Sequence, residues 1–313
     1  MDFVPPSCGY DGFKYPAENG GHLACFLGAI AAAASFEEVM LSPKPGLVCP
    51  DSSGSHSDMN WTTFLMGASA LAPFWRIQAL EGIHHVYYKP SEELMKSLRD
   101  TGLEMERAMF GATGGVNTHK GLIFALSLLV GASGACFARG DFSGAGILRT
   151  AGDIVSPAAR EELEKIKSRG QKGEELTHGE RIYFSHGIAG IRAEASDGFP
   201  SVRAALSTLE DMLARGASAR SAAVMSLLVL MERCEDTNVI HRCGMKFWRG
   251  EYLKRVRAAM RNFDPLEPGK YESARDLDNL LIQRGASPGG AADLLACTLF
   301  MYRSKILDNS LLV

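Results

Sequence analysis

The sequence predicts an all-α protein that folds as a single compact multi-helix domain. Apolar residues recur at three- and four-residue spacing over most of the chain, the pattern of helices with one buried face. The alternation typical of strands is scarce, and Ala, Leu and Met outnumber the β-branched residues that favour strands. The 313 residues are enough for one large domain, and their apolar fraction of 46% can fill its core.

The predicted helices follow one another along the chain. Their ranges are residues 22–40, 61–80, 92–110, 120–138, 202–215, 218–233, 246–262, 274–284 and 290–305. Ser91, Ser156 and Ser287 each precede Pro or acidic residues, which indicates helix N-termini. We expect the polar stretch 140–176 to leave the core as a surface excursion. Residues 1–20 are predicted to form a flexible arm, and residues 21–313 a single domain.

Charge and cysteine content exclude several classes of protein. The 33 basic and 36 acidic residues give a net charge of −3, so the chain has no general electrostatic attraction to nucleic acid or an anionic membrane. Seven cysteines without CxxC pairs indicate reduced thiols in a cytosol. Residues 23–36 lack the positive flank of a signal peptide, and residues 122–138 are short for a membrane span. We therefore expect a cytoplasmic protein with no membrane or nucleic-acid partner.

Polar residues concentrate in the connections between the apolar helices, which we call junctions 1 to 5 in chain order. These are residues 42–59 (SPKPGLVCPDSSGSHSDM), 113–121 (TGGVNTHKG), 177–200 (THGERIYFSHGIAGIRAEASDGFP), 235–244 (EDTNVIHRCG) and 287–293 (SPGGAAD). A Gly-rich loop that opens a helix, as in junction 2, can hold an anion, because the first helical N–H groups have no internal partner. Each junction alone is equally compatible with a surface loop or a helix cap.

Together the junctions contain the groups that a polyphosphate site needs. They supply Lys and Arg for charge, His for proton transfer near neutral pH, and single carboxylates. Mg²⁺ usually takes one or two protein carboxylates together with substrate phosphates and water, which suits such scattered acids. No Cys/His spacing typical of zinc is present. The residues by themselves predict an all-α polyphosphate-binding protein.

In this order the junctions resemble the motif series of the triphosphoribosyl-dephospho-CoA synthase family. The resemblance covers residues 22–305 and rests on SPKPGLV with GSHSDM, TGGVNTHKG, THGE with GIRAEASDGFP, EDTNVIHRCG and SPGGAADLLA. Members of this family help to make the prosthetic group of citrate lyase, and a sister branch serves malonate decarboxylase. The chain departs from the family pattern at Cys49, a position that is usually polar, and at Ser52-Ser53-Gly54, where an Asn-rich run is common.

The resemblance implies a transferase that uses ATP as a ribosyl donor. Such an enzyme joins C1 of the ribose of ATP to the 2′-hydroxyl of 3′-dephospho-CoA, expels adenine and keeps the triphosphate. The bond broken is N-glycosidic, so the transition state should resemble an oxocarbenium ion. The site must anchor the triphosphate, stabilise the departing adenine and remove a proton from the acceptor hydroxyl.

The resemblance also implies roles for the junction residues. Candidate catalytic residues are His56, Asp58, His119 and Glu194. Residues expected to bind ATP or the second substrate are Lys44, Gly114, Gly115, Asn117, Thr118, Lys120, Arg192, Asn238, Arg242, Gly289 and Gly290. Candidate ligands for Mg²⁺, the expected cofactor, are Asp58, Glu194, Asp236 and Asp293.

Two other functions use the same groups. An all-α metal-dependent nucleotide hydrolase would direct water at ATP and release phosphate or pyrophosphate. A non-catalytic nucleotide-binding assembly protein would bind ATP and release nothing. The expected partners are ATP and 3′-dephospho-CoA; the sequence leaves open a homo-oligomer, the identity of the metal and the choice between citrate lyase and malonate decarboxylase.

Overall fold

A computed structural model describes residues 20–88, 91–267 and 271–305. Over these ranges the chain is helical and has no β-strand, so the predicted all-α class is confirmed. The helices are α1 (Gly20–Met40), α2 (Trp61–Tyr88), α3 (Ser91–Ala112), α4 (Lys120–Ala138), α5 (Gly144–Gln171), α6 (His178–His186), α7 (Ile191–Ser196), α8 (Pro200–Ala214), α9 (Ala219–Arg233), α10 (Thr237–Phe247), a π-helix (Trp248–Tyr252), α11 (Leu253–Asn262), α12 (Glu272–Arg284) and α13 (Gly289–Ser304).

Helix α4 lies at the centre of the core. Nearly every residue from 122 to 137 is buried, and the helix contacts α1, α2, α3, α5, α7 and α13. A Cβ added at Gly82 would lie 1.9 Å from the carbonyl oxygen of Gly131, and one at Gly134 would lie 2.3 Å from that of Ala79. Glycine at these positions therefore lets the backbones of α2 and α4 come into direct contact.

Two helices, α1 and α4, are long and apolar enough to cross a membrane by length and composition alone. In α4, 83% of the most apolar window is buried inside the fold, and in α1 the share is 56%. Core helices of soluble proteins pass the same test of length and composition. All six cysteines among the described residues are free thiols.

Most of the polar stretch 140–176 forms the long helix α5, and because Ile147, Leu148 and Val155 on this helix are buried in the core, the predicted excursion is wrong. Helix α5 begins after Ser143, whose hydroxyl accepts a hydrogen bond from the N–H of Gly146 at 3.1 Å. Ser156, predicted to cap a helix, lies inside α5, where its hydroxyl donates to the carbonyl oxygen of Gly152. Pro157 follows in mid-helix. It lacks the backbone N–H that would bond to the carbonyl oxygen of Asp153, and Asp153 is exposed. Ser156 and Pro157 thus predicted a helix N-terminus at a position where α5 continues.

Other boundaries agree with the sequence. Helix α1 ends at Met40, before the Pro-rich segment, α3 begins at Ser91, and α13 begins directly after Pro288. Junction 3 contains two short helices that were not predicted, α6 and α7. Thr177 caps α6, because its hydroxyl accepts from the N–H of Glu180 and the Glu180 carboxylate accepts from the N–H of Thr177. Apart from residue 20, the predicted N-terminal arm lies outside the described residues.

Candidate functional site

Junctions 1, 4 and 5 meet around His56. The Nε2 atom of His56 lies 2.9 Å from the hydroxyl of Ser287, and Nδ1 lies 3.3 Å from Arg242 and 3.6 Å from Asp58. We call these four residues the His56 cluster. Burial and the Arg242 guanidinium lower the pKa of His56 below 6.5, against a smaller opposing effect of Asp58. The imidazole is therefore neutral at pH 7 and able to accept a proton.

Arg242 fastens the His56 cluster to the surrounding backbone. Its Nη1 donates to the carbonyl oxygens of Ser55 at 3.0 Å and Gly285 at 3.3 Å. Asn238 lies one turn earlier on the same face of α10. A Cβ on Gly289 would lie only 3.0 Å from the Asn238 amide nitrogen. Three of the predicted substrate-binding residues thus lie together at one end of α10 and α13.

Asp236 joins the N-termini of α10 and α13. Its Oδ1 accepts hydrogen bonds from the N–H groups of Asn238 and Val239, and its Oδ2 accepts from Ala291 at 3.1 Å, with a further bond from Gly290. Burial raises the pKa of this carboxyl group, although the N–H groups oppose the shift. Its oxygens are occupied by backbone donors, so the carboxylate acts as a clamp and has little capacity left for Mg²⁺.

A second group, the Lys44 cluster, lies beneath junctions 1, 2 and 5 and consists of Glu38, Lys44, His119 and Asp293. The Lys44 ammonium is 2.6 Å from the Glu38 carboxylate, and both side chains are at most 5% exposed. Because the ammonium is buried as well as paired, a phosphate can contact it only if the surrounding side chains move. The expected role of Lys44 in phosphate binding stays a prediction.

Asp293 connects the Lys44 cluster to the first turn of α4. Its carboxylate accepts a hydrogen bond from the N–H of Leu122, and a Cβ on Gly121 would lie 2.0 Å from its Oδ2. Burial raises the pKa of Asp293 well above its usual range; the charges of Glu38 and Asp236 add to that shift. The residue is nevertheless partly exposed, unlike the Lys44 side chain.

His119 is enclosed by side chains. Its Nδ1 lies 2.8 Å from the Thr118 hydroxyl, its backbone N–H meets the sulfur of Met109, and Phe64 packs against the ring edge to face. The buried Nε2 atom has no hydrogen-bond partner in the described part of the chain. Burial, with a smaller effect of Lys44, lowers the pKa of His119 to about 3. The ring is therefore neutral and shielded from solvent, which does not favour the proton-transfer role predicted for it.

Lys120 and Arg192 face each other across a cleft beside α4. Lys120 pairs with Glu106 at 3.0 Å, and Arg192 makes two hydrogen bonds with Glu162 at 2.9 and 3.1 Å. All four line a cavity of about 390 Å³ between α3, α4, α5 and α7. Both basic side chains thus have carboxylate partners in this structure, and their expected roles in phosphate binding stay predictions.

Glu194 lies away from Arg192, because both are on helix α7 and two-residue spacing separates their side chains. Its carboxylate accepts hydrogen bonds from the N–H of Ser201 at 2.7 Å and from the Ser201 hydroxyl at 2.9 Å. Burial is the main cause that raises the pKa of Glu194. In this structure Glu194 caps α8; its catalytic and Mg²⁺ roles stay predictions.

The two glycines of junction 2 are open to solvent, unlike Thr113, Thr118 and His119 in the same junction. Gly114 and Gly115 adopt positive φ angles of 66° and 90°, and a Cβ at either position would have no neighbour within 4 Å. Asn117 accepts a hydrogen bond from the N–H of Lys120 at 3.2 Å and so helps to start α4. The exposed glycine backbone leaves room for a ligand beside the first turn of α4.

The structure brings most predicted residues to three neighbouring places: the His56 cluster, the Lys44 cluster and the cleft at Lys120. Sequence reasoning did not identify Glu38, Glu106, Glu162 and Ser287 as their partners. Only Ser287 carried a signal, since it was recognised as a helix-start residue. In the described part of the chain, no group of three or more His, Cys, Asp or Glu residues is arranged to hold a metal ion.

Comparisons with known proteins give one consistent result. The family model described as "CitG: ATP:dephospho-CoA triphosphoribosyl transferase" matches residues 25–310. A Streptococcus equi subsp. equi protein named a probable 2-(5''-triphosphoribosyl)-3'-dephosphocoenzyme-A synthase is 38% identical over 291 residues, which cover 90% of this chain and 96% of the relative. The synthase of that name from Pectobacterium atrosepticum is also 38% identical, over 269 residues, covering 85% of this chain and 84% of the relative.

A solved structure supports the fold alone. The crystal structure of an Archaeoglobus fulgidus protein, described as a candidate triphosphoribosyl-dephospho-CoA synthase, superposes with a TM-score of 0.52 at 18% identity. The superposition covers 79% of this chain and 99% of the archaeal one. The helical arrangement is therefore shared with a distant protein.

Proposed function

The chain belongs to the CitG family of ATP:dephospho-CoA triphosphoribosyl transferases, and we propose that the first turns of α4, α10 and α13 form its active site. The enzyme is a transferase that makes 2′-(5″-triphosphoribosyl)-3′-dephospho-CoA from ATP and 3′-dephospho-CoA, with release of adenine. One observation carries the location. Asp236 joins α10 to α13, and Asp293 joins α13 to α4, so three helix N-termini converge.

The converging N-termini favour the triphosphate of ATP. Helix N-termini carry partial positive charge and favour anions. Lys120 and Arg192 lie beside the first turn of α4, and Arg242 lies on α10. On binding, the phosphate oxygens would replace Glu106 as the partner of Lys120 and Glu162 as the partner of Arg192. This exchange would anchor the triphosphate through ionic contacts with Lys120 and Arg192.

His56 is the proposed general base. It is neutral at pH 7, and its Nε2 already contacts a hydroxyl, that of Ser287, at 2.9 Å. The 2′-hydroxyl of the acceptor would take the place of Ser287 and give its proton to Nε2 as the new bond to C1 forms. To accept at Nε2, the neutral ring must carry its own proton on Nδ1, where Asp58 at 3.6 Å is the acceptor. Arg242, 3.3 Å from Nδ1, can only donate, so in this tautomer its guanidinium turns to another acceptor, for which a substrate phosphate is suited. Asn238, beside Gly289, can hydrogen-bond to the sugar or the departing adenine.

Asp293 is the residue that best fits the proposed Mg²⁺. Of the four predicted ligands, Asp236 and Glu194 already bind backbone N–H groups, and Asp58 is 63% exposed. Asp293 accepts a single backbone hydrogen bond, from Leu122, and the nearby charges of Glu38 and Asp236 favour a cation. A single carboxylate with phosphate oxygens and water is a usual Mg²⁺ environment. When bound, Mg²⁺ would neutralise part of the triphosphate charge.

We further propose that the product is the precursor of the prosthetic group of citrate lyase or malonate decarboxylase, made in the cytoplasm. The resemblance of the five junctions supports this biological context. Purified product and its downstream transferase can be offered to the apo acyl carrier protein of each system. Loading of neither carrier would remove this part of the proposal.

The reaction itself is tested by chromatography with mass detection. ATP and 3′-dephospho-CoA are incubated with the enzyme and Mg²⁺, and we expect equal amounts of free adenine and a heavier CoA derivative that retains three phosphates. Release of phosphate or pyrophosphate would instead indicate a nucleotide hydrolase. Binding of ATP without any product would indicate a non-catalytic assembly protein.

A further inference from the structure

A long cleft follows one side of α4 between α3 and α5. It consists of two adjoining cavities of about 530 and 390 Å³, which share Met95, Arg99 and Ala158 in their walls. The smaller cavity reaches Gly121 and the larger reaches Ala135, 14 residues further along α4. At 1.5 Å per residue this separation is about 21 Å. The cleft therefore suits an extended molecule.

The walls of the cleft are mainly apolar. They include Leu94, Leu98, Leu128, Ile154 and Ile191. Leu103, at the rim of the smaller cavity, is 45% exposed, which is a large exposure for an apolar side chain. An apolar concave surface with a few polar groups is the usual form of a small-molecule site.

Arg99 lies in the middle of this cleft, since it lines both cavities. It forms no ion pair with any residue in the part of the chain that the structure describes. At the smaller cavity, Lys120 and Arg192 have glutamate partners, whereas Arg99 presents a free guanidinium. A free guanidinium between two apolar chambers matches an anion with organic groups on both sides, and a diphosphate diester is such an anion.

We propose that this cleft binds the acceptor, 3′-dephospho-CoA, in an extended form with its diphosphate at Arg99. The proposal rests on the proposed function: the acceptor meets the triphosphate at the Lys120 and Arg192 end of the smaller cavity and extends from there past Arg99. The ribose lies at the Gly121 end, next to Asp293 and the first turn of α4, where the transfer occurs. The pantetheine arm lies in the larger cavity, where Thr150 and Asp153 offer partners for its amide groups.

The test is the effect of Arg99→Gln on the two substrates separately. Loss of a charge-assisted hydrogen bond to phosphate predicts a KM for 3′-dephospho-CoA that rises about 10- to 100-fold, with the KM for ATP within twofold. Arg99→Lys should retain part of the affinity. Arg107→Gln is the matched control, because Arg107 is also on α3 but pairs with Glu104 and does not line the cleft.

A second variant tests the cleft itself. Ala158→Phe places a bulky side chain where the two cavities meet, and it should weaken binding of 3′-dephospho-CoA in calorimetry at least 10-fold while ATP binding is retained. The proposal would be overturned if Arg99→Gln raised the KM values for ATP and for 3′-dephospho-CoA equally. It would also be overturned if neither Arg99→Gln nor Ala158→Phe weakened the binding of 3′-dephospho-CoA. Calorimetry of 3′-dephospho-CoA binding does not depend on turnover. A wild-type enzyme that releases no adenine would therefore refute the proposed function and leave the cleft still testable.

Discussion

The carboxylate of Asp236 accepts a hydrogen bond from the backbone N–H of Ala291, 55 residues later in the chain, at 3.1 Å. The same carboxylate caps its own helix α10. One side chain thus holds two helix N-termini together at the proposed active site. The clamp places Asn238 beside Gly289 and brings Arg242 to His56, so the site depends on this contact for its shape.

Asp236→Asn should destabilise the protein more than an ordinary cap variant. The amide offers only one acceptor oxygen, so the N–H donors of one helix lose their buried partner, at a cost of about 1–3 kcal/mol. Urea unfolding at pH 7 measures the loss. Asp264→Asn is the control, because Asp264 accepts a similar bond from Leu266 at an exposed position. Equal, small losses in both variants would contradict the clamp.

The buried pair of Lys44 and Glu38 gives a second prediction. Lys44→Met leaves a buried carboxylate without a partner, which should cost about 3–5 kcal/mol of unfolding free energy. Lys44→Met combined with Glu38→Gln removes both charges and should recover most of this loss. Lys96→Met removes one partner of an exposed pair with Asp100 and should change stability little. A double variant no more stable than the single one would argue against the buried pair.

The sequence predicted the local features of this fold better than its long-range contacts. Pro43 and Pro45 end α1 through backbone sterics, and the cap at Asp236 depends on its own neighbours, so both can be recognised from residue types. The contacts of Asp236 with Ala291 and of Lys44 with Glu38 depend on how the helices pack, which no local pattern encodes. Pro157 shows the opposite case, because packing of α5 overrides a strong local signal.

The buried imidazole of His119 predicts how stability changes with pH. Its pKa is about 3 in the fold, whereas an ordinary imidazole has a pKa of 6.5, so the unfolded chain binds a proton more readily below pH 6.5. The neutral ring therefore makes its full contribution to the free energy of unfolding above pH 6.5. As the pH falls to 4.5, this free energy decreases by about 3 kcal/mol. His119→Gln should lose less stability than the wild type between pH 7 and 4.5 in urea unfolding. His22→Gln, at an exposed position, should behave as the wild type; an unchanged slope in His119→Gln would refute the assignment.

Asp293→Asn should weaken the response to Mg²⁺. The carboxylate is the proposed protein ligand, and its loss should raise the Mg²⁺ concentration for half-maximal adenine release at least about 10-fold. Because phosphate oxygens and water supply the other ligands, saturating Mg²⁺ should restore part of the activity. Asp58→Asn should leave the Mg²⁺ response unchanged. An identical Mg²⁺ curve for wild type and Asp293→Asn would exclude this ligand.

His56→Gln should lower kcat about 10²- to 10⁴-fold, because a general base is lost, while the KM for ATP changes little. In the wild type, activity should rise with pH through the pKa of His56, which lies below 6.5 because of burial and Arg242. Arg242→Gln removes a positive charge that disfavours protonation, so the rising limb should move to higher pH. Asp58→Asn removes a charge that favours protonation, so the limb should move to lower pH. If the two variants move the rising limb of the pH–activity profile in opposite directions, His56 is the group that titrates. If His56→Gln keeps the rising limb of the wild type, His56 is excluded as the base.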